Sequence, residues 1–227
     1  MKWTIGKKVF FSFGIVMLLV AQSAVIVYFK MAEVVTNQER ARFHTQQLNL
    51  AYTILAATNC LNGAMRGFII AHEVNDAQEI ARLHELMPQQ WEILSTAESK
   101  LQQLSPRFVI TRDKELMTTM YSDIAAYRQQ QDGQVAQIDR DENAVLEVRA
   151  TVTRTSSKTS NKLKEEAAEL VRSINRQAEE DGESAAASAA VASTTVIVCC
   201  GLVVVLGLAF AAGISRQISN TTVGMSA

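Results

Sequence analysis

His72 and Glu73 stand side by side in the stretch MRGFIIAHEVND, Met65 to Asp76, and a His-Glu pair on a helix invites a metal reading. A zinc hydrolase of that kind needs His-Glu-x-x-His, because two imidazoles one turn apart hold the ion while the Glu activates its water. Four residues after His72 stands Asp76, and the next His is His84. The Asn75-Asp76 pair also marks a helix end rather than a helix centre. With three His in the whole chain, at 44, 72 and 84, no metal site and no cofactor is expected. Ser-His-Asp and Cys-His signatures and Gly-rich phosphate loops are missing too, so the chain does not read as an enzyme. The chemistry left is recognition. Arg66 in the same stretch can grip both oxygens of a carboxylate, or can pair with an acidic residue such as Asp139 or Glu142.

Charge narrows the partners. The formal net charge is -1, but all 23 Asp and Glu lie between Glu33 and Glu183, where only 17 Lys and Arg accompany them. An acidic middle argues against nucleic acid, whose phosphates require a basic face. Of the three Cys, Cys199 and Cys200 fall in an apolar run and read as packing residues. Cys60 stands alone in the middle segment, either buried or available for a bridge between subunits.

Two runs are apolar enough to cross a bilayer. Val9 to Phe29 has 21 residues and Val191 to Ile214 has 24, none charged; at about 1.5 Å per residue each covers a hydrocarbon core of roughly 30 Å. The first run continues past the small-x-small site Ala21-Gln22-Ser23 to Phe29, which favours an uncleaved anchor over a signal peptide. Lys2, Lys7 and Lys8 before the first span place the N-terminus in the cytoplasm, and two spans return the tail there. The expected order is a cytoplasmic segment 1–8, a span 9–29, an exported segment 30–190, a span 191–214 and a cytoplasmic tail 215–227.

The exported segment is expected to be all α. Between residues 31 and 190 Pro occurs only at 88 and 106, and Gly only at 63, 67, 133 and 182. Leu48, Ala51, Leu55, Thr58, Asn62, Met65 and Ile69 recur at three- and four-residue steps, as do Val145, Val148, Val152, Thr155, Leu170 and Ile174. Breaks are expected at His72–Asp76, at Ser105-Pro106 and at Asp139–Asn143, with a kink at Pro88. Four helices result, the outer two longer, as in an antiparallel up-down-up-down bundle flanked by two transmembrane helices. Counted from the tip, Arg66 lies about six residues down, and about ten further down one layer holds Asn59 or Thr58, Trp91 or Gln90, Tyr127, and Thr155 or Thr159. These residues either line a small polar pocket clamped by Arg66, or form a polar layer that fixes helix register or simply faces solvent.

The whole pattern, a short basic start, a span, about 160 residues of bundle, a second span and then ISRQIS at Ile214–Ser219, resembles the sensory half of methyl-accepting chemotaxis proteins. RGFIIAHEVND is similar to the Arg-Gly-aromatic-Leu-Leu-Thr-Gly-Asp stretch that ends the first helix in many such bundles: Arg66, Gly67, Phe68, Ile69 and Ile70 match, and Ala71-His72 replaces Thr-Gly. The resemblance implies a receptor in the bacterial inner membrane with its sensory domain in the periplasm, sensing a small molecule or a solute-binding protein. In that family Ile-Ser-Arg opens a HAMP helix with a Pro close behind; here Asn220 to Ala227 carries neither Pro nor HAMP body, so no output domain is expected on this chain. The alternative is a structural or modulatory membrane protein that joins full-length receptors without a ligand. The small-residue run SAAASAAVASTT, Ser184–Thr195, suits close helix packing in lipid and a homodimer or receptor assembly.

Overall fold

The computed structural model describes residues 5–108 and 110–223. The expected role of Lys2 and the end of the tail at 224–227 lie outside the described residues, and the side chains of Lys7, Lys8 and Arg216 are likewise not described. Every described element is helical: α1 (Ile5–Glu73), α2 (Ala77–Leu104), α3 (Thr111–Arg140), α4 (Val145–Thr151) and α5 (Ser157–Val223). Short 3₁₀ turns Ser105–Arg107 and Glu142–Ala144 fill two junctions, and a π-helical segment Val152–Ser156 joins α4 to α5.

The first break has an explicit cause. Asn75 takes φ +55°, a left-handed conformation that its short side chain tolerates. The Asp76 N–H then donates to the Ala71 carbonyl at 2.9 Å, and the Asp76 carboxylate accepts from the Glu79 N–H at 3.1 Å, capping α2. Asp76→Ala is expected to cost about 1 kcal/mol, seen as a lower melting temperature and faster amide exchange in the first turn of α2; an unchanged melt would show that water serves that N–H equally well. The second break follows from Pro106 in the 3₁₀ turn, after which Phe108 is extended and α3 begins at Thr111. Pro88 lies within α2, whose helix runs on past it to Leu104.

The chain separates into two compact units. One is Arg42–Glu179. Its core takes Ala51, Ile54, Leu61, Met65 and Phe68 from α1, Leu83, Trp91, Leu94 and Leu101 from α2, and Met117, Met120 and Tyr127 from α3. Val148, Val152, Leu163, Ala167, Leu170 and Ile174 complete it. At Gly67 α1 passes α2 so closely that a Cβ would stand 3.3 Å from Leu83 Cδ1. Ties from α3 to the π segment and α5 include Asp113–Ser173, Arg112–Glu169, Asp123–Lys162 and Gln134–Ser156, so that the start of α3 meets the later part of that stretch and its end meets the earlier part.

The other unit comprises Met1–Ala41 and Glu180–Ala227, of which 5–41 and 180–223 are described. Two helices of the chain are long and apolar enough to cross a membrane, and their most apolar windows bury none of their residues within the protein. Phe10, Phe13, Leu18, Tyr28, Phe29, Ile197, Val204 and Leu208 all face outward. Within the apolar runs Ser23 and Thr195 turn their hydroxyls to backbone carbonyls of their own helices; outside them Glu33 accepts from Lys30 at 2.7 Å and from Ser188 at 2.5 Å, and Arg40 sits 3.7 Å from Asp181.

Candidate functional site

Along the inward face of α3 the buried residues are Ile124, Tyr127, Gln131, Gln134 and Ile138, at helical spacing but with two glutamines in apolar places. Each glutamine is tied to a different helix. The Gln131 Nε2 donates to the Leu61 carbonyl of α1 at 3.2 Å and to the Tyr127 hydroxyl at 2.9 Å. The Gln134 Nε2 donates to Ser156 Oγ in the π segment at 2.7 Å. Both Oε1 atoms are buried without a partner among the described residues, as is the hydroxyl of the fully buried Ser160. Thr58, also fully buried, turns its hydroxyl back to the Ile54 carbonyl. Buried acceptors left open cost free energy that an all-apolar layer would not.

The sequence-derived site residues divide between two places. Trp91 and Tyr127 are buried together with ring centroids 5.6 Å apart, and Thr58 reaches the interior as the nearer member of its pair with Asn59. Burial raises the Tyr127 phenol well above its ordinary range, with the positive charge of Arg66 opposing the rise. Asn59, Arg66 and Thr155, by contrast, have exposed side chains. Arg66 makes no ion pair with a described side chain, and that of Glu142 lies outside the description; Asp139 holds the ring of His84 at 3.1 Å, and at the far end of α1 Glu73 pairs with Arg149, at 2.9 Å.

Thr155 is a correction to the helical rhythm expected for the last helix. The π segment inserts extra arc, so the inward position after Val152 is Ser156 rather than Thr155, followed by Ser160 and Leu163. In α1 the inward face centres on Ala51, Ile54, Thr58, Leu61, Met65 and Phe68, while Leu48 and Leu55 pack at its margin. His72 and His84, the residues that raised the metal question, both present ring edges to Phe68, with centroids 4.6 and 4.8 Å away.

Beside the polar layer a cleft of about 290 Å³ opens between α2 and α3. Met87, Pro88 and Trp91 form its apolar side, and Arg128, Gln131, Asp132 and Asp139 supply polar groups. The Arg128 guanidinium lies 5.6 Å from the Trp91 ring centroid. Two larger hollows are poorer candidates. The one at Gly133–Glu147 is lined by the exposed α3–α4 junction, and in the one between Arg112 and Arg176 the buried carboxylate of Asp113 is already satisfied by Ser173 at 2.7 Å and Gln177 at 2.8 Å.

One further polar group stands where α3 meets α5. Glu166 is buried against Asp123, and Lys162 Nζ lies 2.8 Å from Asp123 and 3.6 Å from Glu166. Burial, then the negative charge of Asp123 and a hydrogen bond with it, lifts the Glu166 carboxyl to about 7, against the pull of Lys162. Asp123 and Glu166 look like ordinary surface charges in the sequence, and only their meeting distinguishes them. The glutamines carried a readable signal, since Tyr127, Gln131, Gln134 and Ile138 share one face at 4-3-4 spacing. No family model, curated protein or solved structure matches this chain.

Proposed function

We propose that this protein is a two-span sensory receptor of the bacterial inner membrane, of the chemoreceptor type, whose middle segment 30–190 is a periplasmic up-down-up-down four-helix bundle that senses a small solute. The single observation that carries the reading is the polar layer of Gln131, Gln134, Ser156 and Ser160, where the oxygens of both glutamine amides and the Ser160 hydroxyl are buried without a partner among the described residues. A polar layer can fix helix register in a scaffold, but register needs only the paired groups, whereas acceptors left unmatched by the fold suit a site whose helices respond to an added ligand. The π segment adjoins it, and π turns mark places where helix register is under local control. The ties that join the start of α3 to the later part of the last helix, and its end to the π segment, support the antiparallel order, and the two long apolar helices support the spans.

The homodimer in this reading pairs α1 with its copy. Tyr52, Ala56, Asn59, Gly63, Arg66 and Ile70 recur at steps of four and three, and all are exposed; a Cβ added at Gly63 would meet open space. Such a stripe of small and apolar residues suits a second helix. Arg66 and Asn59 then stand at the seam between two copies, where a solute carboxylate would bridge them. The receptor reading differs from the scaffold reading in one respect, response to a solute.

The test uses the full chain with Cys60→Ser and Ala56→Cys. Disulfide-linked dimers are expected to form, and at least one solute in a panel of organic acids, amino acids and amines should change the rate of linking. A cysteine placed at Asp141 should react with a membrane-impermeant maleimide from the periplasmic side. Linking that no solute alters turns the assignment to a scaffold, and labelling only after the inner membrane is permeabilised overturns the topology.

A further inference from the structure

We propose that the cleft between α2 and α3 is a binding site for a small organic amine, whose ammonium takes the place over Trp91 that the guanidinium of Arg128 holds in the structure. The proposal deepens the sensory reading and rests on it for its biological meaning. It names a ligand class and a place distinct from the α1 seam.

The cleft is rich in acceptors. Asp132 and Asp139 bring two carboxylates to its rim, and Gln131 brings a buried amide whose Oε1 has no partner. Pro88 adds a fourth acceptor: having no N–H, it cannot donate to the carbonyl of His84 one turn earlier, and both residues line the cleft. Apart from the His84 ring, which is engaged by Asp139, the one basic group among the lining residues is Arg128. Carboxylates and open carbonyls around an aromatic face are the surroundings that favour an ammonium with N–H donors over a carboxylate.

Arg128 marks the position. Its Nε is 3.8 Å from Asp132, and its guanidinium stands over the indole. More than half of the Arg128 side chain and two thirds of Asp132 are exposed, so the pair is weak and readily exchanged. Trp91 itself is buried to within 5% because its neighbours cover it. A ligand ammonium can therefore reach the ring only by displacing the guanidinium. That exchange conserves charge over the indole, and it adds N–H donors for the Asp132 and Asp139 carboxylates at the rim.

The experiment uses the full chain in lipid nanodiscs with Trp3→Phe, so that Trp91 is the remaining indole. Ethanolamine and 1,5-diaminopentane are titrated at millimolar concentrations while Trp91 emission is read, with acetate and aspartate as anionic and zwitterionic comparisons. Saturable change with the amines is expected. Asp132→Asn should weaken it about tenfold, and Arg128→Ala, by removing the competing cation, should tighten it about threefold. Arg112→Ala removes the same charge far along α3 and should leave affinity unchanged. Absence of a saturable amine response, a response to acetate alone, or weakening by Arg128→Ala overturns the proposal. If the amines fail while another solute changes disulfide linking at Ala56→Cys, the sensory reading stands without this site. If the amines bind and linking never responds, the site stands and the sensory reading falls.

Discussion

Phe68→Ala is expected to destabilise the bundle by about 3–5 kcal/mol, the range for deleting a well-packed aromatic ring from a core that cannot collapse around the gap. The ring is fully buried. It stands at the end of α1 beside Gly67, where a Cβ would come within 3.3 Å of Leu83 on α2. Two imidazole rings, His72 from its own helix and His84 from α2, meet its faces and edges at centroid distances below 5 Å. Removing the ring therefore leaves both imidazoles without their aromatic neighbour as well as opening a void. Phe68→Leu restores most of the volume and should recover much of the loss. Circular dichroism melts of the full chain measure both variants. If Phe68→Ala melts with the wild type, Phe68 is not the core residue described here. A loss in Phe68→Ala that Phe68→Leu does not reduce would place the effect in the rings rather than the volume.

The Arg-Gly-Phe stretch shows what the sequence made legible. Helix ends announce themselves through local chemistry, and Asn75, Asp76 and Pro106 each sit where a cap, a left-handed residue or a missing donor is needed. Long stripes were readable for a similar reason, since a face of Ala51, Thr58, Met65 and Ile69 repeats over many turns. A layer counted from the tip was half readable. Depth along a helix follows from the rise per residue, but one residue of error rotates a side chain by about 100° around the axis. That is the difference between Thr58, inside, and Asn59, outside. It is also why Arg66 points outward while its neighbours Met65 and Phe68 are buried.

The π segment was beyond such reading. Nothing in Val152-Thr-Arg-Thr-Ser156 declares an extra residue in the turn, because the choice is settled by the partner: Gln134 offers an amide donor that Ser156 accepts. A stripe that assumes α periodicity carries on through it and selects Thr155. The paired carboxylates Asp123 and Glu166 were missed on similar grounds, whereas the glutamines were readable from their spacing with Tyr127 and Ile138. Each of the two acids has the composition of a surface residue, and its burial depends on which helix faces it. Cys60, half-buried and on the same helix as the exposed α1 stripe, leaves both roles read from its solitary position compatible with the fold.

Glu166 carries the second large effect, and its sign is fixed by the direction of the shift. In the unfolded chain the carboxyl titrates near 4.5; in the fold, burial and the adjacent Asp123 hold the proton on until about 7. Below the unfolded value both states bind it, so stability does not depend on this group. Between the two values the folded state keeps a proton that the unfolded state releases, and stability therefore falls as pH rises. Above the folded value the loss is complete, on the order of 1–2 kcal/mol once solvent screening around the half-exposed Lys162 is allowed for. Lys162, more than half exposed, opposes the shift without cancelling it. Glu166→Gln is neutral at every pH, keeps the length of the side chain and can donate its amide to Asp123 in place of the carboxyl proton. Thermal melts at about pH 5 and about pH 8 should then show wild type losing stability across the interval and Glu166→Gln losing distinctly less. The buried Asp113, with its bonds from Ser173 and Gln177, is common to both proteins and drops out of the comparison. Identical slopes would mean that Glu166 ionises as freely in the fold as out of it and would overturn the prediction; a steeper slope in the variant would place the titrating group elsewhere. Retained slope in wild type and its loss in Glu166→Gln would make the α3–α5 contact, one to two turns along from Ser160, sensitive to proton concentration near neutrality.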